Sequence, residues 1–448
     1  MRGAVYLVLV SGLGGCAARS PAPATDSITL RLTHPRVSGS AVLTSLRFSA
    51  GEVAANVHKE PGQLSRWLER LERQVDLDPS DERVVVRLPA GQQGDVLRLL
   101  MDTAGAGLDG LFGAAGVAEV SLELPRSGAV AGALTFPTYH AREACSGPRL
   151  VKHELVAPEV ATGSDTGRHS LCVQLPRHYD DDPSRRFPVV LVFPGFSGLA
   201  AQNAGFGARG LFDSLGDETG VEVILVGVET RVAEGTRYLV PDGTGGDWIG
   251  YVTKRVLPWL DERFRTQPLR AAYGHSTGGW NALSLALAAP DVVEVAAASS
   301  PDPLDLDVWF LDGAAPRPRW WWWQRAEERL GGRGQFHSWA TSWSAQGALP
   351  FDAGGALRPA VYGAWVRQSL ATRVSTASLR LSGRLFLTAG TNDMFDLYAP
   401  TERFVELARA RGLDVTWHPT ALDHFGATEA RFTPLVRFLL EKLKTARR

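Results

Sequence analysis

The chain lacks a surplus of charge of either sign, since its formal net charge is −1 over 448 residues. We therefore expect no nucleic-acid partner and no electrostatic attachment to a membrane. Hydrophobic residues make up 44% of the sequence and charged residues 21%, which is ordinary for a soluble globular protein. A chain of this length can form two domains with a sizeable core.

Metal-binding patterns are also missing. The histidines of the first third, His34, His58 and His140, have no spacing typical of metal ligands. We expect them at the surface or in packing contacts. The sequence therefore predicts no metal site.

Cysteine is scarce, with three residues, and the first of them ends an N-terminal signal. Arg2 precedes an apolar stretch at residues 4–13, too short to span a bilayer, and Gly-Gly leads to Cys16. This order resembles a bacterial lipobox. It predicts a signal peptide at residues 1–16, a lipidated Cys16 and a lipid anchor in the cell envelope. Ala17 favours the outer membrane. The alternative is an ordinary secretory signal with a chance cysteine.

The remaining cysteines, Cys145 and Cys172, would be exported to an oxidising compartment where a disulfide can persist. In the strand pattern around Cys172, the side chains of Leu171, Val173 and Leu175 share one face, and Cys172 lies on the opposite face. An off-core cysteine close to Cys145 could form a disulfide. Two free thiols are an equally good prediction, because a sequence does not fix the geometry of the pair.

Composition and periodicity divide the chain into regions. Residues 17–27 are a Pro/Ala-rich tether, and residues 28–147 predict a small α+β or β-rich accessory domain. Its expected strands are at 28–32, 42–48 and 84–88, and its helices at 63–75 and 96–104. Residues 148–448 alternate strand and helix patterns, which predicts an α/β fold with a mostly parallel sheet flanked by helices. The strands are expected at 168–175, 188–193, 222–228, 269–273, 293–298, 384–389 and 413–418, and the helices at 201–219, 248–265, 277–289, 399–411 and 427–446.

A tryptophan-rich segment at residues 300–378 interrupts this alternation. It holds Trp309, Trp339, Trp343, Trp365 and a run of four tryptophans at 320–323. Insertions after the strands of such a sheet lie over its carboxyl edge, where ligands bind, so we predict a cap over the active site. The tryptophans could instead pack in a core or contact a membrane surface, and we favour a cap or core packing.

The pentapeptide G-H-S-T-G at 274–278 stands between a short apolar strand and a helical segment. In that context G-x-S-x-G is typical of a nucleophile elbow, a turn that exposes the serine hydroxyl. A Cβ atom at Gly274 or Gly278 would crowd the neighbouring strand or helix. We therefore predict that Ser276 is the nucleophile of an acyl-transfer reaction.

A serine hydroxyl needs a base, and in this arrangement the chain order is serine, acid, histidine. His424 lies on the loop between the last predicted strand and the final helix and is the predicted base, whereas His418 lies within that strand. Asp393 directly follows the preceding strand and is the predicted acid. Asp396 is the alternative acid.

The oxyanion of such a reaction is held by two backbone N–H groups. Thr277, which follows the nucleophile, supplies one of them. The loop P-G-F-S-G at 194–198, after the strand at 188–193, supplies the other. We assign it to Phe196, with Ser197 as the alternative.

Two further segments extend the pattern around the elbow. V-Q-L-P-R-H-Y-D at 173–180 is followed by R-F-P-V-V at 186–190, and V-L-P-W-L-D-E-R-F at 256–264 precedes the elbow strand. With G-H-S-T-G-G at 274–279, they resemble the "Putative esterase" family, the esterase D-like branch of the α/β-hydrolases, over about residues 165–446. The resemblance implies an α/β-hydrolase fold, an acyl-enzyme on Ser276 that water hydrolyses, and no metal or organic cofactor. Pro194 departs from the histidine that is usual there.

Together these patterns predict a serine carboxylic-ester hydrolase of the cell envelope with a Ser276/His424/Asp393 triad. Its substrate is a small-molecule or polymer-linked ester in a tryptophan-lined acyl or aromatic pocket. An acyltransferase to an envelope alcohol is one alternative, for which a water-excluding cap argues. A non-catalytic binding lipoprotein is another, for which Pro194 and the accessory domain argue. The oligomeric state is left open.

Overall fold

The computed structural model describes five strands near the N-terminus and most of the chain from residue 145 onward. The described residues are 26–33, 40–42, 84–88, 119–123, 132–135, 145, 148–160, 167–196, 198–200, 208–232, 235–317, 320, 321, 324, 335–344, 347–393, 395–422, 424 and 428–445. The predictions for the signal peptide, for Cys16, for Ser197 and for the helices at 63–75 and 96–104 lie outside them.

The chain divides into two compact units, Met1–Ala141 with Pro318–Gly334, and Arg142–Arg317 with Gln335–Arg448. The described strands of the first unit form an antiparallel sheet. Its members are β1 (Asp26–Thr33), which pairs with β2 (Ser40–Val42), β3 (Val84–Leu88) and β4 (Glu119–Glu123), and β5 (Gly132–Thr135), which pairs with β4. β1 and β3 contain the strands predicted at 28–32 and 84–88, and β1 begins within the predicted tether.

The second unit is built on an eight-stranded sheet. Its strands are β6 (Leu150–Val156), β7 (Arg168–Gln174), β8 (Phe187–Phe193), β9 (Ile224–Val228), β12 (Thr266–His275), β13 (Val295–Ser299), β16 (Leu385–Thr388) and β17 (Val415–Trp417). Two short antiparallel pairs lie between them in the chain, β10 (Arg231–Val232) with β11 (Gly235–Thr236), and β14 (Leu311–Asp312) with β15 (Ala315–Pro316).

The spatial order of the large sheet is β17-β16-β13-β12-β8-β9-β7-β6. The six strands from β17 to β9 are parallel, and β7 and β6 add antiparallel pairs at one edge. Every residue of β8 is buried, as expected for a continuous apolar run in a parallel sheet with both faces covered. The predicted fold class is confirmed.

The helices of the second unit follow the predicted alternation. They are α1 (Ala208–Thr219), α2 (Trp248–Gly250), α3 (Leu257–Arg263), α4 (Thr277–Ala288), α5 (Leu306–Phe310), α6 (Gln335–Trp343), α7 (Pro359–Gln368), α8 (Leu370–Val374), α9 (Tyr398–Ala410) and α10 (Thr428–Thr445), with a π-helical turn (Tyr251–Val256) that joins α2 to α3 and 3₁₀ turns at Pro158–Val160 and Leu379–Leu381. None of the described helices is long and apolar enough to cross a membrane.

The alternation of β13 shows which helices cover which face of the sheet. Val295 and Ala297 belong to the core cluster that contains the apolar residues of α1 and α10. Ala298 points the other way, where it lies against Gly279 of α4. The two faces are therefore covered by α1 with α10 and by α4.

The tryptophans of the 300–378 segment that fall in the second unit form an aromatic cluster, Trp309, Trp339, Trp343 and Trp365. The rings of Trp339 and Trp343 stack at 5.2 Å, and the edge of Trp365 meets Trp343 at 5.6 Å. All four side chains are buried. These four tryptophans therefore pack in a core. The cap over the active site stays a prediction for the other residues of the 300–378 segment. Trp322 and Trp323 lie outside the described residues.

Cys145 and Cys172 form a disulfide. It attaches the first described residue of the second unit to β7, the strand that carries Cys172. The prediction that Cys172 lies off the core is wrong: its side chain is buried with Ala200 and Leu150. The reason is that Cys145, Ala200 and Leu150 cover this face of β7. Leu150 belongs to β6, a strand that the sequence patterns did not predict and that pairs with β7 along its full length.

Candidate active site

Ser276 occupies a sharp turn between β12 and α4. Its φ of 57° and ψ of −128° are a conformation that residues with a side chain rarely adopt. A Cβ atom on Gly274 would overlap the backbone of Gly278, and one on Gly278 would overlap the carbonyl of Phe193. The two glycines therefore let strand, turn and helix approach closely, as the spacing predicts for an elbow.

His424 and Asp393 meet at the same edge of the sheet. His424 Nδ1 lies 2.8 Å from Asp393 Oδ2, and each residue is 2% exposed. The other carboxylate oxygen of Asp393 accepts the N–H of Phe395 at 3.0 Å. A carboxylate on Nδ1 favours the tautomer that carries its proton there, and in that tautomer Nε2 is the nitrogen that can accept a proton. The ring of His424 lies 4.5 Å from that of His275, the residue before Ser276.

The alternative acid and the alternative base have other partners. The carboxylate of Asp396 is 3.7 Å from Arg317 Nη1. His418 is exposed just beyond β17, where its N–H donates to the carbonyl of Leu387. The structure therefore brings together the preferred residues of the prediction, Asp393 and His424, beside the elbow.

The two predicted oxyanion donors flank the nucleophile. A Cβ atom on Gly195, the residue before Phe196, would lie 3.8 Å from Ser276 Cβ, so this loop passes beside the turn. Within the described part of the chain, the N–H groups of Phe196 and Thr277 have no hydrogen-bond acceptor. Unpaired backbone donors next to a nucleophile are what an oxyanion requires. A tight turn holds the loop, since Gly198 N–H donates to Gly195 O at 2.9 Å.

A second carboxylate, which the sequence analysis missed, contacts the nucleophile. Ser276 Oγ donates to Asp302 Oδ1 at 3.1 Å, and the N–H of Asp302 donates to Ser276 O at 3.2 Å. Asp302 Oδ2 accepts from the Thr277 hydroxyl at 2.6 Å, from Gln335 Nε2 at 2.9 Å and from the Tyr238 hydroxyl. We call Asp302, Tyr238 and Gln335 the Asp302 cluster.

Burial governs the electrostatics of the Asp302 cluster. It raises the pKa of Asp302, while the hydroxyls of Thr277 and Tyr238 and the charge of His424 lower it. Burial, followed by the nearby charge of Asp302, raises the pKa of Tyr238 well above its ordinary value. Tyr238 thus stays protonated, and its hydroxyl donates a hydrogen bond to Asp302. One signal could have revealed Asp302: it comes directly after the strand predicted at 293–298, beside the elbow strand.

His275 lies between the elbow and the base. It is 6% exposed, and its Nδ1 is 3.1 Å from the Ser299 hydroxyl. Burial lowers its pKa well below the ordinary value, and the charges of His424 and Arg431 lower it further. His275 therefore stays neutral where an ordinary histidine would take up a proton. Among the described residues, no group of three or more His, Cys, Asp or Glu could hold a metal ion.

Comparison with known proteins gives one family. The model of the family described as "Putative esterase" matches residues 166–422, a range that contains Ser276 and Asp393 and ends just before His424. None of the curated proteins matches significantly.

Three of the solved structures that are similar to this chain are a ferulic acid esterase, an S-formylglutathione hydrolase and MPT51. A ferulic acid esterase is 14% identical, with 65% of this chain and 97% of that chain covered and a TM-score of 0.46. An S-formylglutathione hydrolase from Agrobacterium tumefaciens is 14% identical, with coverages of 67% and 96% and a TM-score of 0.44. MPT51 (FbpC1) of Mycobacterium tuberculosis is 13% identical, with coverages of 68% and 100% and a TM-score of 0.44. These identities are too low to transfer an activity.

Proposed function

Because the chain belongs to the "Putative esterase" family and is a serine esterase, we propose that Ser276, His424 and Asp393 form its catalytic triad. The observation that carries the proposal is the buried hydrogen bond between His424 and Asp393, at 2.8 Å, next to the strained turn of Ser276. This arrangement supplies a nucleophile, a base and a group that orients the base.

The proposed reaction forms and then hydrolyses an acyl-enzyme. Ser276 Oγ attacks the ester carbonyl carbon while its proton moves to Nε2 of His424, and the oxyanion is held by the N–H groups of Phe196 and Thr277. The C–O bond to the alcohol breaks as His424 returns the proton to the leaving oxygen. Water then attacks the acyl carbon while its proton moves to His424. The bond to Ser276 Oγ breaks as His424 returns that proton to Oγ, and the free acid leaves. Asp393 stabilises the imidazolium in both steps.

The proposed setting is the cell envelope, with a lipid anchor on Cys16 and a small-molecule or polymer-linked ester as substrate. The order of basic residue, apolar stretch, small residues and cysteine at the N-terminus supports export. The Cys145–Cys172 disulfide supports it as well, because such bonds persist in oxidising compartments. The aromatic cluster offers no separate support for an acyltransferase, since its four tryptophans are buried in a core.

Acyl-enzyme trapping tests the proposal. The protein without residues 1–20 is mixed with a p-nitrophenyl ester, quenched within one turnover and analysed by mass spectrometry. We expect a mass increase of one acyl group on the peptide that contains Ser276, and labelling of the same peptide by a fluorophosphonate. Ester cleavage with neither adduct would refute the role of Ser276. A protein that neither cleaves esters nor takes up the probe would be the non-catalytic lipoprotein.

Product analysis decides between hydrolase and transferase. We expect free acid as the product at every concentration of an added acceptor such as glycerol. Acyl-glycerol that increases with the acceptor at the expense of free acid would favour the acyltransferase.

A further inference from the structure

The Asp302 cluster lies at the nucleophile without a part in the proposed mechanism. Asp302 follows β13, the parallel neighbour of the elbow strand, so both strands end at the same edge of the sheet. Its N–H and its carboxylate both contact Ser276. Two contacts to one residue fix the carboxylate relative to the reacting hydroxyl.

The hydrogen bonds of Asp302 do not depend on Ser276 alone. The carboxylate also accepts hydrogen bonds from Thr277, Gln335 and Tyr238, and Oδ2 is the acceptor in all three. In each of these hydrogen bonds the carboxylate accepts, which is the role of its ionised form. When the Ser276 hydroxyl turns away, three of the four donors remain.

The hydroxyl of Ser276 has one proton, which it donates to Asp302. It cannot donate the same proton to His424, yet the esterase reaction requires that transfer. We propose that Asp302 is a second active-site carboxylate, which holds the Ser276 hydroxyl in the resting enzyme and stabilises the imidazolium of His424 after the hydroxyl has turned to it. This inference rests on the proposed role of Ser276 as nucleophile.

The direction of the effect follows from the groups around His424. They are Asp393 after β16, Asp302 after β13 and His275 at the end of β12. Arg431 on α10 acts in turn on His275. When the hydroxyl turns, it exchanges one acceptor for another, so its number of hydrogen bonds is unchanged. The negative charge of Asp302, by contrast, favours the charged form of His424. Loss of that charge should therefore slow the reaction.

The test measures kcat, KM and the pH profile of Asp302→Asn with a soluble ester, on folded protein counted by fluorophosphonate titration. We expect kcat per titrated site to fall about 10- to 100-fold with KM changed less than about threefold. The acid limb of kcat/KM should move down by about 0.5–1 pH unit, because a nearby negative charge that favours the imidazolium is gone. A merely structural role would lower the number of titrated sites and leave the limb in place.

A second variant covers the case in which Asp302→Asn does not fold. Tyr238→Phe removes one donor to the Asp302 carboxylate and little volume, and we expect kcat per site to fall about three- to tenfold. Its matched control is Tyr362→Phe, which removes a hydrogen bond from tyrosine to Asp307, 2.7 Å long and away from the site. We expect the control to keep the parent kcat.

Three outcomes overturn the inference: an unmoved acid limb in Asp302→Asn, an unchanged kcat per site in that variant, or equal effects of Tyr238→Phe and Tyr362→Phe. Each of them presupposes a parent enzyme that the probe titrates. If the parent does not react with the probe at all, the proposed nucleophile fails instead, so the two failures are distinguishable.

Discussion

The elbow around Ser276 and the aromatic cluster of Trp309, Trp339, Trp343 and Trp365 are both buried, but they are built in opposite ways. The elbow uses the smallest residues, so that backbone segments meet where no Cβ atom fits, and it holds Ser276 in a strained conformation. The cluster uses the largest residues, with ring contacts between 5.2 and 6.0 Å. The close backbone contacts of the elbow position the reacting serine, whereas the buried rings of the cluster stabilise the fold.

The two regions meet at Tyr238. Its ring packs 5.1 Å from Trp343 and 5.1 Å from Trp280, while its hydroxyl donates to Asp302. Apart from Tyr238, we expect substitutions in the two regions to have different effects. Changes at the elbow should cost activity with little loss of stability, and changes in the cluster should cost stability with little loss of activity per folded molecule.

The largest effect is expected for Ser276→Ala. Loss of the nucleophile should lower kcat for a p-nitrophenyl ester by about 10⁶-fold, because no other group can form the acyl-enzyme. The midpoint of thermal unfolding should not decrease. The matched control is Ser375→Ala, on an exposed serine whose hydroxyl donates to the carbonyl of Thr372, and it should keep the parent rate. A variant Ser276→Ala as active as the control would exclude Ser276 as nucleophile.

The next effect distinguishes the two candidate acids. Asp393→Asn should lower kcat by about 10⁴-fold, since an amide on Nδ1 of His424 favours the wrong tautomer. Asp396→Asn should change kcat less than about threefold, because the Asp396 carboxylate faces Arg317. Steady-state rates of both purified variants decide the matter. The reverse order of effects would assign the acid to Asp396.

In the aromatic cluster we expect a loss of stability. Trp365→Ala removes a fully buried ring and should lower the free energy of unfolding by about 3–5 kcal/mol, as measured in urea. Trp417→Ala, at a half-buried tryptophan of β17, should cost about 1 kcal/mol. Both should keep kcat per titrated site within about threefold of the parent. A Trp365→Ala protein that folds but loses most of its kcat would show that the cluster also shapes the site.

The smallest effect concerns His275, the elbow residue expected to influence stability. Its pKa in the folded protein is lowered by burial, whereas the unfolded chain takes up this proton near pH 6.5. As the pH falls below that value, the unfolded state binds a proton that the folded state does not, so stability is lost. His275→Gln should remove up to about 2 kcal/mol of the loss between pH 6.5 and 5.

Urea unfolding at several pH values measures this slope. His418→Gln, at an exposed histidine beyond β17, is the control and should retain the parent slope. If His275→Gln and the control lose stability equally on acidification, His275 is not the neutral buried group that its environment indicates.

The sequence predicted those site residues whose positions follow from local pattern and chain order. G-x-S-x-G located Ser276, and strand ends located Asp393 and His424, whose contact the structure then showed. Tyr238 and Gln335 gave no such signal, because their role depends on contacts with Asp302, 64 and 33 residues away in the chain. Local pattern does not encode which distant side chains share a buried carboxylate.

The tryptophans and Cys172 were misjudged or left open for a related reason. A tryptophan has the same sequence signature in a pocket wall and in a core, and only its packing partners distinguish the two. For Cys172, alternation gave the correct face of β7 but not its burial. Burial of both faces follows from β6 and from the chain around Ala200, which are parts of the fold that the pattern did not reveal.

The positive φ of Ser276 bears on why serine, and not glycine, occupies this position. Glycine adopts this backbone conformation without the strain of about 1–3 kcal/mol that a side chain incurs. A chain selected for stability alone would carry glycine there. Serine at this turn is a point of local frustration, in which residue type and backbone disagree and the hydroxyl is the only compensation. Serine is therefore kept at this strained position for the reaction, and the stability of the fold comes from other parts of the chain.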